Sequence, residues 1–194
     1  MLNSSADRTP RLIGERLAAP HVMRGVTLIE LVVTLAVVVI LLTIAVPSFQ
    51  NAIATNRIAA LTNELSTALQ LARSEAVNRG RTVTVCKSDD LSDSTPSCNT
   101  SADWEDGWVV FVDTNDNGAL DSGELPLRVG QPSSGDAVVT GGTNFADYVR
   151  FRPDGSSRGS SFPNGTLSVC IVPNKRDIVI NTVGRLRIEQ GSCP

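Results

Sequence analysis

Residues 24–35 read RGVTLIELVVTL: an arginine and a glycine lead directly into an apolar run broken by one carboxylate, Glu30. From Val26 to Val46 there are 21 residues, and Glu30 is their only ionisable side chain. That meets the ~20 mostly apolar residues a helix needs to cross a bilayer. Four basic residues precede the run, Arg11, Arg16 and Arg24 among them, against Asp7 and Glu15. Because basic flanks stay on the cytoplasmic side, residues 1–25 are expected inside and the remainder of the chain outside the cytoplasm.

A secretory signal would have a shorter apolar core and a small-residue cleavage site at its far end. Here the far end, IAVPSFQ, continues into a helical pattern. Processing is expected instead before the run, at Gly25, where the missing side chain lets the backbone enter a protease cleft. The anchor would survive such a cut. An ionised carboxylate in hydrocarbon costs on the order of 2.5–3.5 kcal/mol by insertion scales. Glu30 is therefore expected either to snorkel to the interface or to meet a partner that offsets the cost.

The chain carries 17 Lys and Arg, 20 Asp and Glu, and one histidine. Loss of residues 1–25 would remove four basic and two acidic residues together with His21, leaving a net charge of −5. A mature chain without histidine has no imidazole base, proton shuttle or zinc ligand, and nothing else in it suggests an acid–base pair, so no enzymatic activity is expected. Four cysteines, Cys86, Cys98, Cys170 and Cys193, fall in the part placed outside the cytoplasm, where disulfides persist. Their spacing is unlike paired metal knuckles. Three connectivities exist and spacing does not choose among them; the expected one joins Cys86 to Cys98 across a polar loop and Cys170 to Cys193 near the C-terminus.

After Pro47, the apolar residues Phe49, Ile53, Leu61, Leu65, Ala68, Leu69, Ala72 and Ala76 recur by threes and fours, the mark of an amphipathic helix with one core-facing stripe. It is expected to continue the anchor as one helix, bent around Pro47, and to end near Gly80. Beyond it lie short β-rich runs, RTVTVCK, GWVVFVD, YVRFRP, LSVCIV and DIVINTVGRLRIE, with polar loops between them. A long helix followed only by strands predicts an α+β fold, with antiparallel sheet packed on the helix stripe.

Two patches stand out. DTNDNGALDSGE fits the calcium-loop spacing without a gap, with Asp113, Asn115, Asn117, Asp121 and Glu124 as oxygen donors, Gly118 at the turn and the Ala119 carbonyl as backbone ligand. Against calcium, its flank WVVFV is a strand rather than a helix, and Asp, Asn and Gly also favour plain turns. The second patch is a charge asymmetry. Residues 82–149 hold two basic and twelve acidic residues, whereas residues 150–194 hold seven basic and three acidic. In VGRLRIE a strand would put Arg185 and Arg187 on one face. Lys175 and Arg176, in a PNKRD turn, and Arg150, Arg152 and Arg158 would extend the patch.

The Gly25–Glu30 stretch resembles the prepilin leader of type IV pilins and type II secretion pseudopilins. ALQLARSEAVNRGRTVTVC, WEDGWVVFVDTNDNG and VGRLRI are similar to the FimT and GspH branch of that family. The resemblance implies a pilin-like fold: leader 1–25, transmembrane half-helix 26–46, amphipathic half-helix 47–80 and β-rich head 81–194. It implies that a prepilin peptidase cuts after Gly25 and methylates the new terminus at Val26, where phenylalanine is commoner in the family. Glu30 would then pair with the terminal amine of a neighbouring subunit and set axial register. The implied partners are major and minor pilins, and the implied location is the bacterial inner membrane, then a periplasmic or extracellular filament. Gly184, Arg185 and Arg187 match a Gly-Arg-x-Arg motif implicated, in the FimT type, in capture of double-stranded DNA for natural transformation. The alternative implied role is that of a type II secretion pseudopilin.

Overall fold

The structure, a computed structural model, describes residues 25–91, 96–133 and 135–194. Residues 1–24, which hold the basic flank, His21 and all but the last residue of the expected leader, lie outside the described residues. One helix, α1 (Leu28–Arg79), contains Pro47. The chain divides into a unit ending at Ile44 and a second unit, Ala45–Pro194.

In the first unit the helix is long and apolar enough to cross a membrane, by length and composition. All of its described residues are exposed. Apolar side chains such as Leu31, Leu35, Val39 and Leu42 cover no protein core; lipid is the solvent that suits them.

In the second unit α1 buries Ile58, Leu61, Thr62, Leu65, Ser66, Ala68, Leu69, Ala72 and Ala76. Each buried leucine contributes roughly 1.5–3 kcal/mol by leaving water. The stripe is shorter than the sequence suggested. Phe49 and Ile53 stay 70% and 44% exposed, so the core reaches the helix only beyond them. At the C-terminal end Gly80 adopts φ +63°, and the Arg81 amide donates to the Ala76 carbonyl at 3.3 Å. That is a glycine-dependent reversal that satisfies a free helix carbonyl.

Among the described residues nine strands follow: β1 (Val83–Lys87), β2 (Trp108–Val112), β3 (Leu125–Gly130), β4 (Val138–Thr140), β5 (Tyr148–Phe151), β6 (Ser157–Gly159), β7 (Gly165–Ile171), β8 (Asn174–Ile180) and β9 (Leu186–Ser192). They form two antiparallel sheets, ordered β3-β2-β1-β5-β6 and β4-β7-β8-β9. Alternate residues of both sheets, including Val83, Val85, Val110, Phe151, Leu167, Val169 and Ile178, share one core with the helix stripe. Strand β2 is buried on both faces. Val109 and Phe111 form a second cluster with Cys86, packed by Leu91, Leu120 and Tyr148, which explains why WVVFV is an unbroken apolar run.

Strands β4 and β6, each of three residues, fall in stretches that the sequence presents as polar loops, and β3 lies outside the expected β-rich runs. The long run DIVINTVGRLRIE is two strands joined by a turn at 181–185. Disulfides join Cys86 to Cys98 and Cys170 to Cys193, the pairing expected among the three connectivities. They close separations of 12 and 23 residues, for which chain entropy gives about 3 kcal/mol each.

Candidate functional site

Thr27 precedes α1, and its hydroxyl accepts the Glu30 amide at 3.3 Å. Thr-Leu-Ile-Glu therefore has the spacing of a capping box, in which a threonine caps the helix and the glutamate sits three residues on. The sequence carried this signal beside the charge argument. Glu30 lies in the first turn of α1, where the positive end of the helix dipole favours a carboxylate. Gly25 and Val26 precede the helix and are exposed.

The acidic loop is closed by its own groups. Asp113 is 1% exposed and accepts from the Thr84 hydroxyl at 2.8 Å and from the amides of Asn117 and Gly118 at 3.2 and 3.0 Å. Asp121 accepts the side-chain amides of Asn115 and Asn117 at 2.8 and 2.7 Å. Those two bonds, Asn115 first, hold its carboxyl below the usual carboxylate range. Glu124 accepts the Thr114 amide and hydroxyl with one oxygen and the Asp121 amide with the other. Arg150 braces the loop from β5, donating to the Asp116 carbonyl and, at 2.7 Å, to the Tyr148 hydroxyl while lying over the Tyr148 ring. Among the described residues no group of three His, Cys, Asp or Glu side chains is arranged to hold a metal ion.

The C-terminal turn contrasts with this loop. The Gly184 amide donates to the Asn181 carbonyl at 2.8 Å and the Arg185 amide to the Asn181 side chain at 2.8 Å. Gly184 has φ +74°, and a Cβ there would lie 2.0 Å from the Gly155 carbonyl oxygen, so only glycine fits. Arg73, from α1, donates to Gly155 O at 3.1 Å and to Val183 O at 3.0 Å. The sequence reading of the motif missed Arg73 and Gly155. A helix-end arginine and a distant glycine gave no local signal of their meeting.

Arg185 lies just before β9 rather than within it, and both Arg185 and Arg187 are exposed. They are not equivalent. Arg187 pairs with Glu189 at 2.6 Å, while among the described residues no hydrogen bond or ion pair engages the Arg185 guanidinium. Lys175 and Arg176 are not in a turn: they open β8, and strand alternation puts them on opposite faces. Lys175 shares the face of Arg187, since β8 and β9 pair Val179 with Arg187, and is bound to Asp177 at 3.0 Å. Arg150 is engaged by the acidic loop, and Arg158 sits opposite it in β6. The seven late basic residues thus do not form one patch.

A family model described as "Type II transport protein GspH" matches residues 61–184. Two crystal structures of the type IV minor pilin FimU from Pseudomonas aeruginosa strain PAO1 are similar in fold. The P21 form has a TM-score of 0.50 and 24% identity over 70% of this chain and 90% of that one. The P65 form has 0.47 and 24% over 68% and 91%. No curated protein sequence matches. The helix on antiparallel sheets and the extent of the family match lead to one conclusion: the chain belongs to the GspH family, as a minor pilin or pseudopilin of the GspH and FimT type.

Proposed function

We propose that this chain is a minor type IV pilin that binds DNA through its C-terminal turn. It enters the inner membrane as a single-pass precursor, a prepilin peptidase cuts after Gly25 and methylates Val26, and the product joins the filament beside major and minor pilins. Glu30 meets a neighbour's terminal amine, which offsets the cost of a carboxylate in hydrocarbon. Its role is structural and adhesive, with no catalysis.

The observation that carries the DNA reading is Arg185, an exposed guanidinium with no partner among the described residues, on a turn fixed by Asn181, Gly184 and Arg73. A guanidinium offers a planar fork of donors suited to phosphate. Contact through so few cations is backbone-directed, salt-sensitive and without base specificity. The test is a salt titration of duplex DNA binding by the full chain in detergent. Arg185→Ala is expected to abolish most binding and lower the salt slope by about 1, and Arg187→Ala to have the smaller effect because Glu189 already neutralises it. Undiminished binding by the double variant would end the reading that DNA is held by the C-terminal turn.

The second reading, a type II secretion pseudopilin, is favoured by the description of the matched family model and by the net acidic charge outside the leader. Absence of DNA binding together with capture of other pseudopilins would support it.

A further inference from the structure

A groove of about 560 Å³ runs between the end of α1 and the C-terminal turn, walled on one side by Gln70, Arg73, Ser74, Val77 and Asn78 and on the other by Arg185. Gln70, Ser74 and Asn78 recur at every fourth residue, so they form one polar stripe along the helix. All three are exposed. We infer that this groove seats a phosphodiester backbone, with Arg185 on the phosphate charge, Gln70 and Asn78 as flanking amide donors, and Arg73 as the positioning residue for the turn. The inference rests on the DNA reading above and extends it from a two-arginine motif to a helix face.

No carboxylate lines the groove among the described residues, and two that lie near its lining residues in sequence are engaged. Glu75 is held by Arg79 at 2.5 Å, and Glu189 by Arg187. The helix end itself opposes an anion, because its dipole is negative there. Arg73 and Arg185 bring two positive charges against it. The guanidinium of Arg73 donates to two carbonyls, one on each side of the Gly155–Gly184 contact. It therefore fixes where Arg185 starts, and a preorganised donor loses less freedom on binding than a floppy one.

The test uses the full chain in detergent micelles with a fluorescent mixed-sequence duplex, read by anisotropy against salt. Gln70→Glu and Asn78→Asp place a negative charge on the groove wall at exposed positions with little effect on folding. Each is expected to weaken binding roughly three- to tenfold at low salt, the effect fading as salt screens it. Asn63→Asp, on exposed α1 outside the groove, is expected to change binding less than Gln70→Glu does, and less than about twofold once salt near 0.1 M shortens the Debye length to about 10 Å. Arg73→Lys keeps the charge but not the two-pronged contact. It is expected to leave the salt slope intact, lower the affinity and speed amide exchange at Gly184 and Arg185.

If Arg185→Ala abolishes binding while Gln70→Glu and Asn78→Asp bind as the wild type does, the groove is wrong and the DNA reading stands. Wild-type exchange and affinity in Arg73→Lys would remove Arg73 from the positioning role. A wild-type chain that binds no duplex overturns both the groove and the DNA reading.

Discussion

In the acidic loop each carboxylate of the calcium-like pattern accepts hydrogen bonds from the loop's own amides and hydroxyls, whereas the C-terminal turn satisfies its backbone and leaves the Arg185 guanidinium without a partner among the described residues. Both segments matched a functional pattern in sequence. The difference is in what each motif has left after folding. The acidic side chains act as internal struts, with Asp113 tying the loop to β1 through Thr84. The turn is held by other residues, so its cation remains available to a ligand.

This contrast can be broken or sharpened in order of expected effect. Asp113→Ala removes a buried acceptor and strands the Thr84 hydroxyl and two amides. Loss of about 3 kcal/mol is expected, from unsatisfied donors that had bonded a charged group. In a head of this size that lowers Tm by roughly 6–12 °C, and a change under 1 °C would show that the loop does not brace the fold. Gly184→Ala forces a side chain into left-handed backbone against the Gly155 carbonyl. A cost of about 1–3 kcal/mol is expected, with DNA affinity falling because Arg185 is displaced; a variant as stable as the wild type would mean that the turn is looser than described. Calcium is expected to change least. Ligand-linked stabilisation needs binding to the folded state, and with the loop's acceptors engaged, millimolar calcium should leave Tm unchanged. A rise of several degrees would make the loop a metal site and erase the contrast.

Much of the fold was legible because its signals are local. The apolar run from Val26, the threes-and-fours spacing of Leu61, Leu65, Leu69, Ala72 and Ala76, and the terminating Gly80 each speak through near neighbours in sequence. Strands β4, Val-Val-Thr, and β6, Ser-Arg-Gly, were hidden because three residues are too few to show alternation. The pairing of β4 comes from β7, about 30 residues along the chain, and that of β6 from the short β5 just before it, across a turn. Phe49 and Ile53 misled for a different reason. Periodicity marks a face that can be buried, and only tertiary structure decides how far the cover extends.

The site was legible to a lesser degree. Charge counts joined Arg150, Arg158, Lys175, Arg176 and Arg185 into one basic tract, but strand alternation and ion pairing disperse them. What distinguishes Arg185 from Arg187 is a single residue, Glu189, two positions further along the same strand. Arg73 was invisible as a partner because it meets Val183 across 110 residues of chain.

The disulfide between Cys170 and Cys193 has a mechanical meaning. It ties the end of edge strand β9 directly to β7, passing over the intervening β8, while the opposite end is held by the Asn181 turn. A strand fastened at both ends does not unzip one bond at a time under tension; its hydrogen bonds are loaded together. Forced unfolding is governed by the unfolding rate rather than by equilibrium stability. Reduction would thus turn a shear-loaded strand into one that peels from its C-terminal end, at forces under which the intact head keeps its shape.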